Sequence, residues 1–188
     1  MKILVIDIET TGFVTKTDAI VEIGLVLADT DTRTYEVVFD KVVKGKNFNP
    51  KKHSKSWIFS NSNLTIKQVE KAKPLATYQK EIQQLLDKYL VTAFNKSFDM
   101  RFMQYNGFFV NETKCLMESS KQYCNVKDKN GRKKKPNVEE AYKTFFPNEK
   151  YVEAHRGADD AVHETKMLFK MCDLKESQGQ QQRKLKFD

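Results

Sequence analysis

Asp7 and Glu9 close an apolar run and stand two residues apart; side chains alternate faces along a strand, so both carboxylates project from the same side. Two such acids repel each other unless a cation offsets their charge, and hard oxygen ligands at this spacing suit Mg²⁺ or Mn²⁺. Alone, the pair is equally a solvated strand end. The following Thr10-Thr11-Gly12-Phe13 adds a glycine turn through which the backbone can come close to a ligand. A third acid, Asp99, falls in the first turn of a helix that follows a second short apolar strand. A fourth, Asp160, falls in the first turn of the last helix, five residues after His155. Periodicity does not choose between Asp159 and Asp160, and a helix-start aspartate is also an ordinary dipole partner. His155 by itself reads as a surface histidine. All the acids sit at strand C-termini or helix N-termini, where an α/β fold builds its sites.

The elements that must hold these acids can be read from hydrophobic patterning. Lys2 to Ile8 is continuously apolar and β-branched until its end, as a strand buried on both faces should be. Ile20 to Leu27 and Tyr35 to Val43 read as two further strands joined by a turn at Asp29-Thr30-Asp31-Thr32, so the first three strands form an antiparallel meander. Lys46 to Leu64 reads as a long crossing segment. Tyr78, Ile82, Leu85, Leu86 and Tyr89 mark a helical stripe, and Leu90 to Phe94 is a short strand after it. Asn95 or Ser97 is placed to cap a helix that Gly107 ends, and a helix around Glu112 to Tyr123 leads into a basic loop. Asn137, with Glu140 three residues on, opens another helix that Pro147 stops. The last helix is expected from about Ala158 to Cys172, with a loose tail beyond it. The pattern is an α/β domain with a mixed sheet and helices on both faces.

At 188 residues and 21.9 kDa the chain has the size of one domain. No apolar run approaches the roughly 18 residues that span a bilayer, so no membrane partner is expected. No secretory signal is visible, and three cysteines without a C-x-x-C pair suit a reducing compartment, so a cytoplasmic protein is expected (the host cytoplasm if phage-encoded). The formal charge of +8 and pI near 9.2 suit a polyanionic partner. Lysine greatly outnumbers arginine, which favours diffuse phosphate attraction over bidentate reading of base edges. Basic density concentrates in residues 41–55 and in Lys127 to Lys135.

Asp7-Ile8-Glu9-Thr10-Thr11-Gly12-Phe13, Asn95-Lys96-Ser97-Phe98-Asp99 and His155-Arg156-Gly157-Ala158-Asp159-Asp160-Ala161, in this order, resemble the three motifs of the DnaQ-like (DEDDh) 3′-5′ exonucleases. The resemblance covers the chain from its first strand to its last helix. It implies a ribonuclease H-like fold and an exonuclease domain over residues 1–173, and the composition of 174–188 reads as a basic tail beyond it. The resemblance makes Asp7, Glu9, Asp99 and Asp160 the metal-binding acids and His155 the general base, the family spacing selecting Asp160 over Asp159. It implies two divalent cations, Mg²⁺ or Mn²⁺, at an in-line phosphodiester displacement that releases nucleoside 5′-monophosphates from single-stranded DNA or RNA. Glu9 and Thr10 would meet the terminal 3′-OH, Phe13 would stack on the last base, and Asn95 would also contact substrate. Any polymerase or replication protein served would be a separate chain.

The sequence departs from the family pattern at Phe94, where many relatives carry histidine before the asparagine of the second motif. It departs again at Ser60-Asn61-Ser62-Asn63-Leu64, where a His-Gly-Ile-like stretch is common. The rival reading is a catalytically silent nuclease-fold binding module or polymerase accessory subunit. Trp57, Ile58 and Phe59 are expected in the core under the long segment, as are Phe108 and Phe109. His53 and His163 take no role, and the Lys127 to Lys135 loop is expected to meet phosphates.

Overall fold

The computed structural model describes the backbone of residues 1–184 and side chains through Gln178. Four strands, β1 (Lys2–Thr10), β2 (Ile20–Asp29), β3 (Thr34–Val42) and β4 (Leu90–Thr92), form one sheet in the order β3-β2-β1-β4. The β1-β2-β3 meander is antiparallel, as the turn chemistry of residues 29–32 dictates, and β4 pairs parallel to β1. Seven α-helices follow the meander among the described residues: α1 (Ile58–Asn61), α2 (Ile66–Lys71), α3 (Gln79–Lys88), α4 (Lys96–Tyr105), α5 (Leu116–Ser120), α6 (Val138–Phe145) and α7 (Gly157–Lys184). The mixed sheet with helices on both faces matches the expectation.

The two-residue period of β1 divides the interior into two cores. Leu4, Ile6 and Ile8 pack with Ile82 and Leu86 of α3 and with Phe102 and Met103 of α4. Val5 packs on the other face with Leu116 of α5, Ala141 and Tyr142 of α6, and Ala161 and Met167 of α7. Each fully buried large apolar side chain contributes roughly 1.5–3 kcal/mol. Asp7 and Glu9 continue the Val5 side, so β1 delivers both acids to the face covered by α7.

Several boundaries differ from the sequence expectation for local reasons. β4 ends at Thr92 rather than Phe94, because the Phe94 amide leaves the ladder and donates to Glu164 Oε2 at 2.9 Å. The expected Glu112 to Tyr123 helix begins only at Leu116: Asn111 to Thr113 instead pair with Val91 like a fragment of edge strand. The Asn137–Glu140 capping box forms as expected, whereas neither Asn95 nor Ser97 caps α4 with its side chain. The largest difference is at the end of the chain. α7 continues past Cys172 to Lys184, and residues 185–188 of the expected tail lie outside the described residues. Residues 173–178 are rich in good helix formers, and Arg33 in the β2–β3 turn binds Asp173 and Glu176 at 2.7 Å each, anchoring a stretch with little apolar surface.

The start of α7 lies directly against the sheet. A Cβ built on Gly24 of β2 would stand 2.1 Å from the Gly157 carbonyl carbon, and one on Gly157 would stand 2.7 Å from the Gly24 nitrogen. Backbone meets backbone here, with no flexible side chain to move aside. Gly24→Ala should therefore destabilise the protein by about 3 kcal/mol, read as a lower urea midpoint, and should misplace the residues that α7 carries.

Candidate active site

The C-terminal end of β1, the start of α4 and the start of α7 converge on a cleft of about 430 Å³. Asp7, Glu9, Asp99 and His155 line it, and Asp160 stands behind Glu9 and His155: ligand atoms of these last three lie within 4.8 Å of one another. Asp99 in the first turn of α4 is buried and accepts from the Ile8 amide at 3.3 Å, which ties α4 to the middle of the acid pair on β1. Asp160 is also buried. It accepts from the Arg156 amide at 2.9 Å, closing the first turn of α7, and from the Tyr151 hydroxyl at 3.4 Å. All five residues singled out from the sequence are thus brought to one place, though separated by up to 153 positions.

Two further acids join them. Glu164, one turn after Asp160 on α7, is buried, lines the cleft and accepts from the Phe94 amide. Glu153 lines the cleft with Oε1 3.7 Å from His155 Nδ1. The crowding has an electrostatic consequence. Burial, and then the charge of Glu164 and of Glu9, Asp99 and Asp160, hold the Asp7 carboxyl well above the usual carboxylate range. Burial, followed by the charges of Asp160 and Glu22, pushes Glu9 up to about 9. Burial raises Asp99 to about 8 against the lowering effect of its backbone hydrogen bonds, and burial with the Asp160 charge raises Glu153 to about 7.

Asp7 Oδ2 is a buried oxygen without a hydrogen-bond partner, the only such side-chain atom among the described residues. A buried acceptor left in this state is costly, and here it faces other carboxylates. Arg156, which follows His155, is already engaged: its guanidinium forks onto buried Glu22 of β2 at 2.6–3.0 Å and reaches Asn63 at 2.5 Å. An all-oxygen set with an orphaned acceptor and mutually raised acids fits divalent cations.

The position of His155 depends on the residues immediately after it. His155 has φ 52°, one of two left-handed non-glycine residues among those described, a conformation that persists only where the surroundings impose it. The Arg156–Glu22 fork and the Gly157–Gly24 contact impose it. The Trp57 ring packs edge-on against the imidazole with centroids 4.6 Å apart.

The remaining sequence expectations divide. Thr10, Phe13 and Asn95 line the cleft; Phe13 is 79% exposed, and the Thr10 hydroxyl donates to the Gly12 carbonyl at 2.7 Å. Asp159 points outward, half-exposed, 3.5 Å from His163 Nδ1. Trp57 is not in the core: it is 57% exposed at the cleft, while its neighbour Ile58 takes the buried place. Phe108 is buried as expected, but Phe109 is exposed. Glu164, Glu153, Glu22, Arg156 and Tyr151 were not singled out from the sequence. Only Glu164 left a signal there, its four-residue offset from Asp160 placing it on the same helix face.

The RNase T family model, described as Exonuclease, matches residues 4–168. The chain belongs to this exonuclease family. The family is one of nucleases, of the hydrolase class, and generally uses divalent metal ions. No curated protein matches the sequence. Solved structures match the fold at low identity. A full-length 3′-exonuclease superposes with TM-score 0.63 at 16% identity, over 92% of this chain and 60% of that one. The nuclease domain of 3′hExo, a DEDDh family member bound to rAMP, gives 0.62 at 17% over 92% of each chain. E. coli Exonuclease I in complex with a dA16 oligonucleotide gives 0.63 at 15%, over 90% of this chain and 40% of that one. The DnaQ-like motifs and the ribonuclease H-like sheet expected of an exonuclease are thus both present. No helix among the described residues is long and apolar enough to cross a membrane.

Proposed function

We propose that this exonuclease-family chain removes nucleotides one at a time from the 3′ end of single-stranded nucleic acid, by metal-assisted hydrolysis at the Asp7 cleft. The observation that carries the reading is the convergence of Asp7, Glu9, Asp99 and Asp160 around the orphaned Asp7 oxygen, with His155 at the same cleft. These four acids would hold two divalent cations, Mg²⁺ or Mn²⁺. Such ions, when bound, stabilise the attacking and leaving oxygens of an in-line displacement.

The chain's own residues do the rest. His155 takes the proton of the attacking water, and its Nδ1 faces Glu153, which leaves Nε2 for that proton. The oxygen of the departing strand is protonated as the P–O bond breaks, giving a nucleoside 5′-monophosphate and a strand one residue shorter. Phe13 and Trp57 present exposed aromatic surface at the cleft for stacking with terminal bases. The Thr10 hydroxyl, having donated to Gly12, keeps lone pairs to accept from a terminal sugar hydroxyl. Structures of fold relatives holding rAMP and a dA16 oligonucleotide support a nucleotide-end ligand.

A time course on 5′-labelled dT20 and rU20 with Mg²⁺ or Mn²⁺ tests this. The expected result is a ladder shortening from the 3′ end, abolished by EDTA and by a 3′-phosphate. Binding of both strands without shortening would replace the reading with a catalytically silent binding module or polymerase accessory subunit.

A further inference from the structure

Residues 126–134 form a β-hairpin between α5 and α6, and its construction separates two kinds of basic residue. Lys127 bridges Lys133, the Asp128 amide donates to the Arg132 carbonyl at 2.8 Å, and the Lys134 amide donates to the Val126 carbonyl at 3.0 Å. Asp128 Oδ1 closes the turn by accepting from the Asn130 and Arg132 amides, and Gly131 takes the left-handed position at φ 76°. At the base, Lys134 binds Glu140 at 2.7 Å and Lys135 binds Glu118. These two lysines hold the hairpin onto the start of α6 and onto α5. Both anchors adjoin cleft residues: Glu118 follows Met117, and Glu140 completes the cap on Asn137, with Met117, Asn137 and Val138 all lining the cleft.

Lys127, Lys129, Arg132 and Lys133 remain, exposed and without acidic partners among the described residues. The one acid on the hairpin, Asp128, is occupied by its own turn. Four unpaired cations therefore stand on a short arm, about 10 Å from base to tip at 3.3 Å per residue, whose anchors adjoin residues of an acid-lined cleft. Such a cleft repels a polyanion. An arm of this charge counters that repulsion without reading bases, because lysines offer point charges.

We propose that this hairpin is a phosphate-tracking surface that holds the backbone of the single strand upstream of its 3′ end through Lys127, Lys129, Arg132 and Lys133. The proposal rests on the exonuclease reading for the identity of the strand. The hairpin is the site of sequence-independent grip: affinity grows with strand length until the strand reaches it, and Lys134 and Lys135 act only as anchors.

The test is fluorescence anisotropy of labelled dT20 over a KCl series in EDTA, so that loss of turnover, which would sink the exonuclease reading, leaves this measurement intact. The hairpin variant replaces Lys127, Lys129, Arg132 and Lys133 by Gln. The control replaces exposed Lys67, Lys71, Lys80 and Lys88 of α2 and α3 by Gln, removing the same charge elsewhere. Four single-strand phosphate contacts correspond to a slope of about 3 in log Kd against log[KCl], so the hairpin variant should lose about that much slope. The control should keep the wild-type slope. Should the fourfold variant fail to fold, Lys129→Gln with Arg132→Gln at the tip should lose about half as much. An unchanged slope in the hairpin variants, or an equal fall in the control, would overturn the proposal.

Discussion

Asp7→Asn should lower hydrolysis of a labelled single strand about a thousandfold while raising the thermal stability of the metal-free protein. The first effect follows from removing a charged oxygen from the centre of the acid set. Losing several kcal/mol of cation-assisted stabilisation in the transition state corresponds to that factor at about 1.36 kcal/mol per tenfold. The second effect follows from the orphaned Asp7 Oδ2, a buried acceptor that no donor satisfies and whose ionisation is opposed by burial and by the neighbouring acids. An amide at the same place donates to them instead, and a gain of even about 1 kcal/mol raises Tm by roughly 2–4 °C. Differential scanning fluorimetry in EDTA beside a gel assay in Mn²⁺ gives both readouts. Lost activity with lowered stability would mean that Asp7 is a structural group, and retained activity would remove it from the chemistry.

Raising the pH should destabilise the metal-free protein, and divalent cations should cancel most of that loss. Glu9 is raised to about 9 and Asp99 to about 8, both above their ordinary values. The folded chain therefore keeps protons that the unfolded chain releases above about pH 4, so stability falls as pH rises from there toward 8–9. Two protons shed on unfolding across two pH units amount to about 5 kcal/mol, or roughly 10–20 °C in Tm. Scans at pH 6 and pH 8 in EDTA should differ by about that much, and 5 mM Mn²⁺ should bring the two together. A metal-free Tm that is flat or climbs over this range would show that these carboxyls ionise freely in the folded protein.

The placement of the acids is legible from local periods, and their meaning as a set only from the resemblance to the exonuclease motifs. The two-residue period puts Asp7 beside Glu9, and short helix-start signals put Asp99 and Asp160 in first turns; both arrangements are what the structure holds. The residues that escaped depend on contacts distant in the chain. Glu164 matters through the Phe94 amide 70 residues away, and Arg156 through Glu22, 134 residues away. Trp57 is misplaced by its pattern because an apolar triplet reads as core whichever member is inside; Ile58 takes that position. The length of α7 is hidden for the same reason as the distant contacts, since its polar continuation is fastened by Arg33, 140 residues before Asp173. Of the two acids that periodicity leaves open, Asp160, which the family spacing selects, is buried, and Asp159 is exposed.

The two left-handed non-glycine residues, Arg33 and His155, stand at opposite ends of α7: one bonded to its outer half, the other just ahead of its first turn. Neither conformation is favourable without the helix seated against the sheet. α7 is therefore a keystone, and it also carries Asp160 and Glu164 while fixing His155. A chain still emerging from the ribosome can fold β1 and α4 with Asp7, Glu9 and Asp99, yet lacks Asp160 and a fixed His155 until α7 is made. The acid cleft is therefore the last part of the described fold to be completed.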